Sequence, residues 1–136
     1  MAITAALIKQ VREETGAGMM DCKNALTETN GDIEAAKEII RKKGQAVAAK
    51  REDREASEGC VLAAAKGDFA AIVALKCETD FVAKNDSFVA LTKSILDAAI
   101  EAKATDLETV KALVVNGTPV ANLIVDEIGK TGEKME

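Results

Sequence analysis

The sequence predicts an α+β chain in which a small helical module precedes a β-hairpin that is packed by further helices. Two observations support this prediction. Apolar residues recur at helical spacing through residues 1–44, whereas two apolar runs of strand length lie between residues 59 and 75. With 136 residues, of which 48% are apolar, the chain can bury the core of one domain or of two small ones.

Residues 1–44 predict three short helices. Thr4 suits the amino-terminal cap of the first helix, and Gly16 suits a left-handed cap at its end. A second helix follows, and a third begins after Asp32 and is expected to end at Gly44. A module of this size is near the lower limit for independent folding.

Residues 45–57 are rich in charge and alanine, which predicts a surface linker that is helical or loose. In residues 58–136 the two apolar runs flank Gly67 and Asp68, a hairpin turn signal. A two-stranded hairpin is marginal by itself and leaves a sheet edge unpaired. We therefore expect either that the sequence is a fragment of a longer protein or that a partner completes the sheet.

Helices are predicted again after the hairpin. A shorter helix from Asp106 and another that begins at Pro119 follow a long amphipathic one over residues 87–102. Residues 129–132 are expected to form a turn, with a further element beginning after them. The long helix is predicted to bury Phe88, Leu91, Ile95, Leu96 and Ala99.

Composition disfavours several classes of function. The chain has no histidine, which removes the usual general base near neutral pH and the commonest metal ligand. Its net charge of −5 argues against a nucleic-acid-binding surface, which needs clustered cations. No complete phosphate-binding loop is present, so no cofactor is expected. With three cysteines and neither a signal peptide nor a membrane-spanning run, a cytoplasmic protein is expected.

The first candidate site is the segment that leaves the second apolar run, Thr79, Asp80, Phe81 and Val82, here called the tip. Composition alone favours Phe81 in the core, because phenylalanine is usually buried, and Thr79 as the cap of one helical turn. The alternative is a projecting Asp-Phe pair that grips another protein, since loops at the rim of a sheet often carry function.

The second candidate site is Arg12 with Met19 and Met20, which flank a glycine-rich connection. The two methionines suit either a gap between helices or an adaptable interface. A third candidate, Cys77 as the nucleophile of a thiol enzyme, is the least favoured, because it lacks an activating histidine or an evident cationic neighbour.

Two long motifs stand out in the sequence, Thr15-Gly16-Ala17-Gly18-Met19-Met20-Asp21-Cys22-Lys23 and Cys77-Glu78-Thr79-Asp80-Phe81-Val82-Ala83-Lys84-Asn85. Both resemble the signatures of the bacterial elongation factor Ts family. This resemblance implies that residues 1–44 form a ubiquitin-associated-like three-helix module. It also implies that residues 58–136 form the first half of a core built from two related halves, without the second half and its coiled coil.

The resemblance implies a nucleotide exchange factor, not an enzyme. Its partner would be elongation factor Tu, the GTPase that delivers aminoacyl-tRNA, in the GDP-bound and nucleotide-free states. Phe81 would act as a wedge beside the nucleotide site of Tu, and Asp80 would disturb the groups that hold its magnesium ion. Arg12, Met19 and Met20 would form a second contact. Neither direct nucleic-acid binding nor membrane binding is implied.

The sequence departs from the family pattern just before the tip, where Ala74 and Lys76 replace an acidic residue and an asparagine. Because the second half of the core is missing, we expect weak binding to Tu and slow exchange. One alternative is a general helical protein-binding module in residues 1–44. Self-association through the exposed sheet edge is a further hypothesis.

Overall fold

The computed structural model describes residues 2–136, which fall into two compact units. The first unit contains the residues up to Lys50 together with Asp126–Gly132. The second contains Arg51–Val125 together with Glu133–Glu136. Each unit carries one of the two candidate sites, and each is described by itself.

Helices and strands both occur, as the α+β prediction requires. Over the described residues, no helix has the length and apolar character needed to cross a bilayer. The elements in chain order are α1 (Ala5–Thr15), α2 (Met19–Glu28), α3 (Ile33–Arg51), β1 (Glu58–Lys66), β2 (Phe69–Cys77), α4 (Asp80–Ala83), α5 (Asp86–Glu101), α6 (Leu107–Ala112), β3 (Val114–Val115), β4 (Thr118–Pro119) and α7 (Val120–Thr131).

The three helices predicted in the first unit are present. Thr4 caps α1 by accepting a hydrogen bond from the backbone N–H of Leu7 at 3.2 Å. Gly16 ends α1 in the left-handed conformation, with a φ of 70°, which a glycine adopts without steric cost. The core of this unit consists of Val11, Cys22, Ala25, Leu26 and Ala36.

The prediction that Gly44 ends the third helix is wrong, because α3 continues to Arg51. Gly44 is buried, and a Cβ added to Gly129 of α7 would lie 3.0 Å from the Gly44 Cα. The glycine therefore permits two helix backbones to approach closely and does not cap a helix. Part of the predicted linker, from residue 45 to 51, is accordingly helical.

The predicted hairpin is present as an antiparallel pair in which Glu58 lies opposite Cys77 and Lys66 lies opposite Phe69. Its turn places Gly67 at a φ of 63°. Helix α5 packs against both strands and contributes the fully buried Phe88. The predicted buried side of α5 is confirmed for Phe88, Ile95, Leu96 and Ala99, whereas Leu91 is half-buried.

The outer edge of β2 is paired near the carboxyl end of the strand, where Lys76 lies opposite Glu136. The backbone N–H of Lys76 donates to the Glu136 carbonyl at 2.8 Å, and the N–H of Glu136 donates back at 3.2 Å. Both bonds join the same two residues, which is the pattern of a hydrogen-bonded antiparallel pair. On the face of the hairpin that does not pack against α5, the side chains of Val61 and Ile72 are exposed.

The last part of the chain differs from the prediction in two ways. A small hairpin of β3 and β4 turns at Asn116 and Gly117, both with positive φ. Residues 129–131 are helical, so the predicted turn is wrong there, and Gly132 ends α7 with a φ of 72°. Pro119 lies immediately before α7, as its fixed φ favours.

Candidate functional site

The tip is a short helical turn that is anchored on one side and exposed on the other. Thr79 caps α4 by accepting a hydrogen bond from the Val82 N–H at 3.4 Å, and Ala83 is buried. Phe81, in contrast, is 84% exposed. Thr79 therefore caps a helical turn, as predicted, while Phe81 of the same turn projects into solvent.

The composition-based prediction that Phe81 lies in the core is wrong. Phe88, at the start of α5, is fully buried and fills that role, while Phe69 is half-buried. Of the four residues of α4, Ala83 is the buried one, so the side of the turn that carries Ala83 faces the interior. The ring of Phe81 is consequently directed into solvent.

A carboxylate from the end of the chain lies beneath the tip. One oxygen of Glu133, Oε1, accepts hydrogen bonds from the backbone N–H groups of Glu78 at 3.0 Å and Thr79 at 2.9 Å. The other oxygen, Oε2, accepts from the Thr79 hydroxyl at 2.6 Å. In the opposite direction, Glu78 Oε1 accepts from the Lys134 N–H at 2.7 Å. These bonds fix the chain where it enters α4.

The carboxylate of Glu78 is stabilised in its charged form. The hydrogen bond from the Lys134 N–H contributes most to lowering the pKa of Glu78, and Arg54, whose Nη1 lies 3.3 Å from Glu78 Oε2, lowers it further. Partial burial acts in the opposite direction. Glu78 is therefore ionised at neutral pH, which keeps it a hydrogen-bond acceptor.

Asp80 presents its carboxylate at the surface of the tip. Its only ion pair in the described chain is with Lys84, one helical turn away, at 3.7 Å. Both side chains are exposed, and pairs of this kind contribute little to stability. A cationic or polar group of a partner can therefore replace Lys84 at small cost.

Cys77 is buried at the end of β2, where its thiol donates to the Thr79 carbonyl at 3.2 Å. Burial raises the pKa of this thiol, and the nearby Glu133 carboxylate raises it further. The thiol therefore stays protonated at neutral pH. Because the thiolate is the nucleophilic form, this environment disfavours the thiol-enzyme alternative.

The second candidate site lies around the connection between α1 and α2. Met19 and Met20 open α2 and are 57% and 63% exposed, so neither fills the gap between the helices. Arg12, in the last turn of α1, is also exposed, and its carbonyl accepts from the Gly16 N–H at 2.7 Å. Two flexible apolar side chains and a cation are thus available on this surface.

Glu133 is the site residue that the sequence did not reveal. It lies far along the chain from Thr79, and no local motif links the two positions.

The structure also shows no grouping of three or more cysteine, aspartate or glutamate side chains suited to a metal ion within residues 2–136.

Phe81 is a large aromatic side chain exposed on an anchored turn, and aromatic side chains are enriched in the buried centres of protein–protein interfaces. The family model described as Elongation factor TS matches residues 78–136, which include the tip. Over all 136 residues the chain is 67% identical to elongation factor Ts from Phocaeicola vulgatus and 64% identical to that from Parabacteroides distasonis.

The same comparison gives 62% identity over 137 residues with elongation factor Ts from Porphyromonas gingivalis. The chain belongs to the elongation factor Ts family. It spans 41% of the first two relatives and 50% of the third, while all of its own residues are matched.

Proposed function

We propose that this chain acts in translation elongation, in the cytoplasm, as a guanine-nucleotide exchange factor for elongation factor Tu. Its membership of the elongation factor Ts family supports the proposal. The observation that carries it is the 84% exposure of Phe81 on a helical turn whose backbone is anchored. A large apolar ring held in water can insert between elements of a partner without first leaving a core.

The proposed mechanism begins when the tip contacts the GTPase domain of Tu near its magnesium ion. Phe81 wedges between elements beside the nucleotide, and the Asp80 carboxylate competes for the groups that hold the ion. Magnesium neutralises much of the phosphate charge, so its displacement weakens the binding of GDP. This chain makes and breaks no covalent bond in the process.

The exchange is driven by differential binding. If the chain binds nucleotide-free Tu more tightly than Tu-GDP, it must weaken GDP binding by the same factor by which GDP weakens binding of the chain. The chain therefore weakens GDP binding to Tu, and we expect this loss of affinity to appear mainly as faster GDP release.

The surface of Arg12, Met19 and Met20 is proposed as the second contact with Tu. Methionine side chains adapt to irregular apolar surfaces, and both are largely exposed here. The same exposure supports a second candidate function, a general helical protein-binding module. If Met19→Ala and Met20→Ala weaken Tu binding but Phe81→Ala does not slow exchange, this second function is favoured.

Because the chain spans half or less of its relatives, we expect it to bind Tu weakly. We propose that the part of these relatives that the chain does not span supplies further contacts with Tu. Exchange by this chain should accordingly require a higher concentration than exchange by a longer elongation factor Ts. Equal potency of the two would contradict this expectation.

The decisive experiment measures release of a fluorescent GDP from Tu in a stopped-flow instrument. The wild-type chain should accelerate release, and Phe81→Ala should return the rate toward the spontaneous one. Leu107→Ala, which truncates another exposed apolar side chain of the same unit, is the matched control and should match the wild type. Unchanged release with Phe81→Ala would refute the proposed role of the tip.

Self-association through the edge of β2 is a further proposal. The backbone N–H and C=O of Lys76 point away from β1. Because every second residue of a strand points its N–H and C=O to the same side, those of Ile72 and Ala74 also point away from β1. A strand from a second copy can pair there. Sedimentation should show dimers at high concentration that Ile72→Lys removes. Monomers at every concentration would exclude the proposal.

A further inference from the structure

The orientation of Phe81 needs a source other than its own packing. The ring is largely exposed, and α4 has four residues, too few to be stable as an isolated helix. The buried Ala83 fixes one end of the turn. The contacts that hold the other end, where the chain arrives from β2, therefore decide how firmly the ring is directed.

Glu133 supplies those contacts through both oxygens of its carboxylate. Oε1 receives the N–H groups of Glu78 and Thr79, at 3.0 and 2.9 Å, and Oε2 receives the Thr79 hydroxyl at 2.6 Å. Hydrogen bonds to an ionised acceptor are roughly twice as strong as those between neutral groups. Three such bonds to two consecutive residues hold the entry into α4 in one conformation.

The Thr79 hydroxyl connects Glu133 to the helical turn itself. A hydroxyl has one proton to donate and lone pairs with which to accept. Because the proton points toward Glu133, a lone pair is free to accept the N–H of Val82 at 3.4 Å. Val82 adjoins Phe81, so the carboxylate acts on the ring through one hydroxyl and one backbone bond.

A second bond runs in the reverse direction and completes the arrangement. Glu78 Oε1 accepts the N–H of Lys134 at 2.7 Å, so each of two neighbouring segments donates to a carboxylate of the other. Residues 133–134 and 78–79 are thereby held together. We propose that Glu133 is a positioning residue for the tip, an inference that rests on the exchange function proposed for Phe81.

The first test measures positioning without reference to Tu. Because the chain contains no tryptophan or tyrosine, Phe81→Trp introduces a single fluorophore at the tip. In that background, Glu133→Ala should lower the fluorescence anisotropy of the indole. Amide hydrogen exchange at Glu78 and Thr79 should become about tenfold faster, as loss of a charge-assisted hydrogen bond implies.

Two further variants make this test specific. Glu133→Gln keeps one acceptor oxygen for the backbone amides but presents an amide donor to the Thr79 hydroxyl. It should retain most of the amide protection while losing part of the anisotropy. Glu101→Ala removes another carboxylate of the same unit, one that pairs with Lys66, and should change neither measurement.

The second test measures GDP release as a function of the concentration of the chain. With Glu133→Ala, the maximal rate should fall toward that of Phe81→Ala, while the half-saturating concentration changes less than twofold. Glu133→Gln should restore part of the maximal rate. In the Phe81→Ala background, Glu133→Ala should have no further effect, because no ring remains to be positioned.

The outcomes separate this inference from the proposed function. If Phe81→Ala slows release but Glu133→Ala changes neither the anisotropy nor the maximal rate, the positioning role is refuted and the exchange function stands. If Glu133→Ala loosens the tip but Phe81→Ala leaves release unchanged, the exchange function fails, and with it the role of Glu133 in exchange.

Discussion

Phe88→Ala and Phe81→Ala remove the same ring from two positions of the second unit, one where the side chain is buried and one where it is exposed. Phe88 is 0% exposed beneath the hairpin, whereas Phe81 is 84% exposed on α4. We expect Phe88→Ala to destabilise the fold strongly and Phe81→Ala to leave it almost unchanged.

The magnitudes follow from burial. Truncating a fully buried phenylalanine costs about 3–5 kcal/mol, because lost transfer energy and a cavity both contribute. Complete burial of such a side chain is worth roughly 1.5–3 kcal/mol, so the one sixth of Phe81 that is covered accounts for roughly 0.2–0.5 kcal/mol. The two variants should therefore differ by at least about 2 kcal/mol.

Urea unfolding followed by circular dichroism provides the assay, since the chain has no tryptophan or tyrosine. With a denaturant slope of roughly 1–3 kcal/mol/M, Phe88→Ala should lower the midpoint by about 1 M or more. A Phe81→Ala variant destabilised by more than about 1 kcal/mol would refute the reasoning, because a ring with that little contact has no such energy to lose.

Two other predictions concern the surroundings of the tip. Gly59→Ala should destabilise the hairpin by about 1–3 kcal/mol, since the added Cβ would lie 2.6 Å from the Leu75 carbonyl oxygen, and an unchanged urea midpoint would contradict this close approach. Glu78→Gln should lower stability at pH 7. Because the folded-state pKa of Glu78 is depressed, its contribution is fully present above the ordinary carboxyl value of about 4.5 and is lost as the pH falls through the lower folded value. The difference between wild type and variant should therefore vanish in acid, and a difference that persists there would show that the carboxylate charge is not responsible.

Local signals in the sequence predicted those elements whose causes are themselves local. The cap at Thr4, the left-handed Gly16 and the turn at Gly67 each depend on residues within a few positions. The small hairpin around Asn116-Gly117 belongs to the same class. That dipeptide is a strong hairpin signal, and it was missed because the strands on either side are only two residues long.

Features that depend on distant partners were predicted wrongly or were missed. A glycine after a helical run usually ends the helix, but Gly44 instead faces Gly129, and that partner lies far along the chain. Glu133 offers no pattern to read for the same reason. The exposure of Phe81 contradicts the expectation from composition, whereas its position at the rim of the sheet and the resemblance to a longer motif both allowed for a projecting ring.

The two caps around α4 bear on the entropy of docking. Thr79 and Asn85 fix the chain at both ends of the turn, through bonds to the backbone of Val82 and Ser87. Ordering a flexible loop costs about 1–2 kcal/mol for each residue, whereas immobilising one side chain costs about 0.5–1.5 kcal/mol. When the tip meets a partner, the backbone has already lost its freedom, and only the side-chain torsions of Phe81 and Asp80 remain to be restricted.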